Sequence, residues 1–310
     1  MLQNKTFDFL KHAKLFYIIS AAIVAVAVLV TVFFGLEVDI EFKGGTVSNY
    51  SYTGELSLSD VQAAVKEATG YSSKVRSVEN AVTGKTNLNI SISEDISSDE
   101  QAKMTDTLAK KFAANQVKLT DASSVNPMNG RSFFIKCLLA VALAAVLMVI
   151  YIAIRFRKIG GWSAGTTAVI ALIHDLIVVY AVYAIFRIEI GGNFMAVMLT
   201  ILGYSINDTI VVFDRVRENK NIYGKKLPVA ENVNRSLNQV LSRAINTTLT
   251  TLIALAVVVI VSLMYDITSM FDFIFPMAIG LISGVYSSLC LAPNIWVLWQ
   301  QHSEKKKKKR

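Results

Sequence analysis

The chain has 310 residues, of which 53% are hydrophobic and only 17% charged, with a mean hydropathy of +0.47 and a formal net charge of +8. Soluble globular domains carry about 25% charged residues, so this composition excludes an ordinary water-soluble protein and points to a chain built around a membrane. The charges are also clustered: residues 15–36, 137–154, 244–265 and 273–301 contain none.

The first uncharged run, 15–36, follows Lys5, Lys11 and Lys14. A signal-peptide core extends over only about 7–15 residues, so this longer run reads as an uncleaved anchor rather than a leader. Residues 1–36 are expected to form a cytoplasmic N-terminus and the first transmembrane helix.

Residues 37–132 have soluble composition and lack cysteine, so an apolar core rather than disulfides must hold them together. GGTVSNYSYT (44–53) alternates as a strand does. LSLSDVQAAVKEATG (56–70) predicts a helix capped by Ser59, with Val61, Ala64, Val65 and Ala68 as its apolar stripe and Gly70 as its stop. SSKVRSVEN and TNLNISIS read as strands joined by a turn at Thr83-Gly84. Residues 97–115 predict a second helix, acidic in its first turn and basic in its last. QVKLTDASSV supplies a final strand. The order βαββαβ predicts a small α+β, ferredoxin-like extracytoplasmic domain. It contains no catalytic constellation, and contact with a substrate or another protein is its expected role.

Residues 133–300 hold the remaining apolar segments. A helix needs about 18 apolar residues or more to cross a bilayer. Windows 162–186 and 193–213 meet this apart from His174-Asp175 and Asp208, giving six transmembrane helices in all. Basic residues flank one side: Lys5, Lys11 and Lys14; Arg155, Arg157 and Lys158; Arg215, Arg217, Lys220, Lys225, Lys226, Arg235 and Arg243 in a loop at 214–243; and a lysine tail within 301–310. The opposite short loops hold only Arg187, Glu189, Asp266 and Asp272. This bias predicts both termini in the cytoplasm of a multi-pass cell-membrane protein. The lysine tail reads as a contact with the anionic leaflet of the lipid bilayer or a solvated end, not as a nucleic-acid site. Cys137 and Cys290 lie inside apolar segments and His12, His174 and His302 are scattered, so neither metal nor cofactor is expected.

The intramembrane polar residues carry the functional signal, since a carboxylate at a span centre costs about 2.5–3.5 kcal/mol on insertion scales. Asp175 falls near the middle of the third helix, with His174 beside it as either a packing or a working residue; Asp175 itself reads as functional or as a structural bond to a neighbouring helix. Asp208 sits in the fourth helix among Ser205, Asn207 and Thr209. Arg243, Thr247 and Thr251 share one face of the fifth, with Asn246 and Thr250 close by. Arg243 lies at the membrane border, from which its long side chain can reach toward Asp208. Apolar surroundings and a nearby cation pull a carboxylate in opposite directions, and a site balanced between them can load and release a proton. Asp214 and Glu218 read as solvated charges.

GYSINDTIVVFDRVREN, SRAINTTLTTL, ALIHD and DIEFKGGT together resemble the SecD/SecF family, accessory membrane subunits of the bacterial Sec translocase related to the resistance–nodulation–division transporters. DIEFKGGT fits more loosely, with Glu41 and Lys43 where simpler residues are usual. The resemblance implies one helix, an outer domain and five further helices, and a pairing with SecD. It also implies that the proton gradient helps draw unfolded preprotein out of the SecYEG channel after the SecA ATPase has pushed it in. It places the proton-carrying aspartate on Asp208, its arginine partner on Arg243 and a further polar position on Asp175. Two other readings compete. A small-molecule exporter of the related transporter type would be about twice as long with two outer domains. An intramembrane aspartyl protease using Asp175 and Asp208 lacks the expected Gly-x-Gly-Asp setting, so no enzyme is expected.

Overall fold

The computed structural model describes residues 6–79, 86–125, 127–264 and 269–308. Six helical segments among them are long and apolar enough to cross a membrane. The first, α1 (Ala13–Phe34), ends where Gly35 turns the chain with a φ of 66°. A single turn, α2 (Ile40–Lys43), follows, capped by Asp39.

The α/β domain comes next in the order β1 (Gly45–Tyr52), α3 (Leu58–Thr69), β2 (Ser73–Glu79), β3 (Thr86–Ile92), α4 (Ser98–Lys111) and β4 (Lys118–Val125). The strands form one antiparallel sheet in the order β2-β3-β1-β4. Val61, Ala64, Val65, Met104 and Leu108 from the two helices meet Tyr50, Leu88 and Ile90 from the sheet, all with no exposed surface. This is the stripe foreseen for α3, but its cap differs. Ser57, not Ser59, accepts the Asp60 amide, while the Ser59 hydroxyl bonds that of Ser57. Ser97 and Glu100 close a capping box on α4. The turn expected at Thr83-Gly84 and the outer-loop charge of Asp266 lie outside the described residues.

The bundle consists of α5 (Pro127–Arg155), α6 (Gly161–Phe186), α7 (Gly192–Tyr223), α8 (Val229–Met264), α9 (Ser269–Tyr286) and α10 (Ala292–Lys308). A π turn, Ser287–Leu291, joins α9 to α10, so both belong to one membrane segment. The basic stretch 214–243 is not a loop. α7 and α8 run on past the apolar windows and leave only a short turn between them, because Asn219, Asn232 and Ser236 pair across the two helices and satisfy each other. Asp214 and Glu218 sit there in exposed pairs with Arg155, Arg217 and Arg215. The N-terminal strand of chain docks on the same hairpin, Phe7 and Phe9 bonding Asn238 and Asn234.

α6 is the central helix, in contact with α1, α5, α7, α9 and α10. Its buried side is small: Ala164, Thr167, Ala168 and Ala171 lie at helical spacing and let neighbours approach closely. A Cβ on Gly161 would lie 2.1 Å from the Ala153 carbonyl oxygen, which fixes glycine at the α5–α6 approach. Phe42 of α2 packs with Val179, Tyr183 and Phe194 of the bundle, so residues 40–43 belong to the membrane core rather than to the α/β domain.

Candidate functional site

Asp208 sits on the buried side of α7, 7% exposed, about 24 Å along the helix from Gly192 at the domain-bearing end. It borders a cavity of about 40 Å³ together with Asn207, Arg243, Thr247 and Ser288, closed by Val211, Val212, Val240, Val285 and Leu289. Such a space admits one or a few water molecules. The Oδ2 atom of Asp208 is buried and has no hydrogen-bond partner among the described residues. Asp208 and Arg243 share the cavity, yet the two are not in ion-pair contact among the described residues. Both residues of the expected pair therefore line one cavity without an ion-pair contact between them among the described residues.

Of the other expected residues, Thr209 is buried and its hydroxyl bonds that of Ser288 at 2.8 Å. Thr247 lines the cavity and donates its hydroxyl to the Arg243 carbonyl at 2.8 Å. Asn246 lies on the exposed face of α8 and does not line the cavity, so the structure does not bring it to Asp208. Arg243 and Thr247 are exposed at the same helix surface.

Asp175 occupies a separate centre at mid-height of α6, with no exposed surface. Its Oδ2 accepts hydroxyls from Ser205 and Ser287, and its Oδ1 accepts that of Ser283, each at 2.6 Å. His174 Nδ1 lies 3.3 Å from Oδ1. Among the described residues Asp175 and Asp208 are not hydrogen-bonded to each other, as a proton-sharing protease pair must be. Sequence reasoning missed Ser283, Ser287 and Ser288. Their signal was visible in SGVYSSLC, where two serines four apart share a helix face with a third beside them. Gly284 lets α9 come close to α7, since a Cβ there would meet that of Ser205 at 3.3 Å.

At the domain-bearing end, Val38 bridges Ile190, and Glu41 Oε2 accepts the Gly192 amide that opens α7 at 2.6 Å. Glu37 pairs with Lys74, Arg76 and Arg187, and Arg76 reaches Glu189 at 3.1 Å. These pairs tie strand β2 to the α6–α7 connection. The hydrogen-bonded Lys74 ammonium, aided by Arg187 and Arg76, holds the Glu37 carboxyl below its usual range. Burial pushes that of Glu189 up, against the attraction of Arg76. Between the sheet and the bundle lies a cavity of about 860 Å³, roofed by Asn49, Asn87 and Asn89 and floored by Phe186 and Phe271.

Residues 104–302 match the family model described as the C-terminal part of the protein export membrane proteins SecD/SecF. The chain is 34% identical over 306 residues to the protein translocase subunit SecF of Alicyclobacillus acidocaldarius, covering 97% of this chain and 95% of that one. It is 31% identical over 304 residues to the protein translocase subunit SecDF of Bacillus subtilis, covering 96% of this chain and 39% of that one. Among solved structures, SecDF of Thermus thermophilus, described as a translocon-associated membrane protein, superposes with a TM-score of 0.81 at 26% identity. That likeness covers 96% of this chain and 39% of the other, so the chain spans about two fifths of this longer SecDF protein.

Proposed function

Because the chain belongs to the SecD/SecF family of protein-export membrane proteins, we propose that it serves as a non-enzymatic accessory subunit of Sec translocation that uses the proton-motive force to help draw preprotein across the membrane. SecD is its partner: the longer SecDF relatives extend well beyond the part this chain matches. We assign the SecYEG channel, the SecA ATPase and unfolded preprotein as the further partners, with both termini in the cytoplasm and the chain in the inner membrane.

Asp208, Arg243 and Asp175 form the proton-coupling set in this reading, with Asn207, Thr209 and Thr247 as the polar seam at Asp208; Asn246, expected there, stands outside it on the exposed face of α8. One observation carries it: a carboxylate oxygen of Asp208 is buried with no hydrogen-bond partner among the described residues, and Asp208 and Arg243 line the same water-sized cavity. A proton taken up at Oδ2 neutralises the carboxylate and weakens its attraction for the guanidinium. Release restores it. Opening the seam toward one side and then the other would convert that cycle into motion of α7 against α8. Moving one charge through 100 mV supplies about 2.3 kcal/mol per cycle. Arg243, Asn246 and Thr247 also lie exposed on α8 where its uncharged run begins, and a polar surface against lipid there is unfavourable, which supports a protein partner over that face.

The test is translocation of a secreted protein into proteoliposomes holding the channel, SecA and SecD, with and without this chain. The chain should add an increment of export that an uncoupler removes. Equal export in both preparations, with the proton gradient intact, would overturn the proposal.

A further inference from the structure

We infer that His174 Nε2 is a second proton-binding position in the bundle, held ready by Asp175 at a centre distinct from the Asp208 cavity. The inference rests on the coupling reading above for its use in export, but its chemistry stands on the geometry of the pair.

Asp175 accepts three serine hydroxyls, and its carboxylate is taken as the ionised, acceptor-only form. An ionised carboxylate has no hydrogen to give. His174 Nδ1, at 3.3 Å, therefore supplies the hydrogen of their contact. That assignment leaves Nε2 of the neutral ring as a bare lone pair. Nε2 is buried, in a residue only 6% exposed, and has no hydrogen-bond partner among the described residues. A carboxylate that fixes the tautomer of an imidazole and stabilises its cation is the arrangement by which an aspartate turns a histidine into a base.

The charge accounting points the same way. Asp175 has no exposed surface and no lysine or arginine in ion-pair contact among the described residues. A buried anion lacking a cation is costly. A proton on Nε2 turns the isolated anion into an ion pair, with the new N–H bond formed as the O–H bond of a hydronium breaks and water leaves. Tyr286 of α9 lies with its ring centroid 5.8 Å from that of His174, and its hydroxyl is taken up by the Phe16 carbonyl and Ser20. Within their uncharged stretches the packed elements also carry Tyr17 of α1, Cys137 and Tyr151 of α5, Tyr204 of α7 and Cys290 of the π turn, with Asp208 on α7; their cations stand outside those stretches, Lys14 on α1, Arg131, Lys136 and Arg155 on α5, Arg215, Arg217 and Lys220 on α7, and Lys305 and Lys306 on α10.

Hydrogen bonds link the surroundings of the two proton positions, passing through the backbone carbonyl of Ser205 rather than through an unbroken run of hydroxyls. Ser205 bonds Asp175; Ser288 bonds the Ser205 carbonyl at 3.3 Å and the Thr209 hydroxyl at 2.8 Å; and Ser288 lines the Asp208 cavity. Asp175 lies about 16 Å from the domain-bearing end of α6, against about 24 Å for Asp208 along α7. His174 would thus be the station nearer the α/β domain.

The chain has three histidines, so replacing His12 and His302 by asparagine leaves His174 as its one imidazole. The full chain, labelled with nitrogen-15 histidine and placed in liposomes, is followed by solid-state NMR from pH 5 to 9. The expected result is an Nδ1–H tautomer at high pH whose Nε2 gains hydrogen as the pH falls, and loss of that titration in Asp175→Asn. An Nε2–H tautomer, or an Nε2 that stays unchanged across the range, overturns the inference. In export assays His174→Asn should lower the uncoupler-sensitive part by at least about tenfold while assembly with SecD is unchanged. Unaltered export there removes His174 from coupling. An Asp208→Asn variant that keeps its uncoupler response instead removes the coupling reading and leaves the NMR result standing on its own.

Discussion

Ser287 donates its hydroxyl to Asp175 Oδ2 at 2.6 Å from a π turn that lies 112 positions further along the chain. The next residue, Ser288, also points inward, to Ser205 and Thr209. Successive residues of an α-helix diverge by about 100°, from 3.6 residues per turn, so the widened turn lets two neighbouring serines serve the same interior. Such turns are rare and collect at functional sites.

Ser287→Ala should destabilise the chain by about 1–3 kcal/mol, because it leaves a buried charged acceptor one donor short. Asp175→Ala should cost more, taking the acceptor from the Ser205 and Ser283 hydroxyls and leaving that of Ser287 only the Gly284 carbonyl at 3.2 Å. Thermal unfolding of the purified chain measures both. A Ser287→Ala variant as stable as the parent would mean that the serine is spare.

The junction between domain and bundle should respond to pH through two carboxylates of opposite character. The Glu37 carboxyl is held below its usual range, so its contribution is present above the ordinary carboxylate pKa and disappears as the pH falls through the lowered value. The Glu189 carboxyl is raised, so its contribution is full at low pH and declines as the pH rises through the raised value. Glu37→Gln should loosen docking at neutral pH by about 1 kcal/mol or less, given the exposed partners. Glu189→Gln should leave neutral docking intact and remove the decline. Distances between spin labels on β2 and the α6–α7 connection, recorded against pH, distinguish the two. Parallel responses would contradict this assignment.

The α/β domain should fold alone from residues 44–125, not from 37. Its core closes on itself, whereas Phe42 packs into the bundle. Leu88→Ala in that fragment should cost about 2–5 kcal/mol, read by denaturant titration with circular dichroism. A fragment that stays unfolded would show that the bundle is needed to complete the core.

Six apolar runs and the strand–helix order were legible because hydrophobicity and period are local properties. Asp208 stood out for the same reason: a charge in an apolar run is conspicuous without knowing its neighbours. The serine cage of Asp175 was not legible, since it joins α6, α7, α9 and the π turn, and serine in a membrane helix is common enough to pass unnoticed. The cavity that Asp208 and Arg243 both line likewise depends on the packing of α7 against α8. Glu41, odd as a residue of DIEFKGGT, is explained only in three dimensions, where its carboxylate accepts the first amide of α7.

Arg243→Lys should impair proton-dependent export more than a charge-conserving change elsewhere. The guanidinium presents a fixed fork of donors that an ammonium cannot copy, and Arg243 must reach across a cavity to act on Asp208. Arg215 is the control: it holds Gln239 at 2.7 Å and Glu218 on the α7–α8 hairpin, so Arg215→Lys should change stability slightly and leave coupling intact. Equal export by the two variants would reduce Arg243 to a topology-setting charge.

Asp208→Asn separates coupling from architecture. Asparagine preserves the size of the side chain but cannot bind and release a proton. The carboxylate oxygen it replaces has no hydrogen-bond partner to lose. Replacing a buried carboxylate by a neutral amide lowers the cost of burial, so membrane levels and assembly with SecD should be normal or higher. What should vanish is the increment of export that depends on the proton gradient, while the ATP-driven part continues. Translocation into inverted vesicles, with and without an uncoupler, measures the two parts separately. The parent should lose export when the gradient collapses, and the variant should already lack that increment and be indifferent to the uncoupler. A variant that still responds to the uncoupler as the parent does would remove Asp208 from the coupling site.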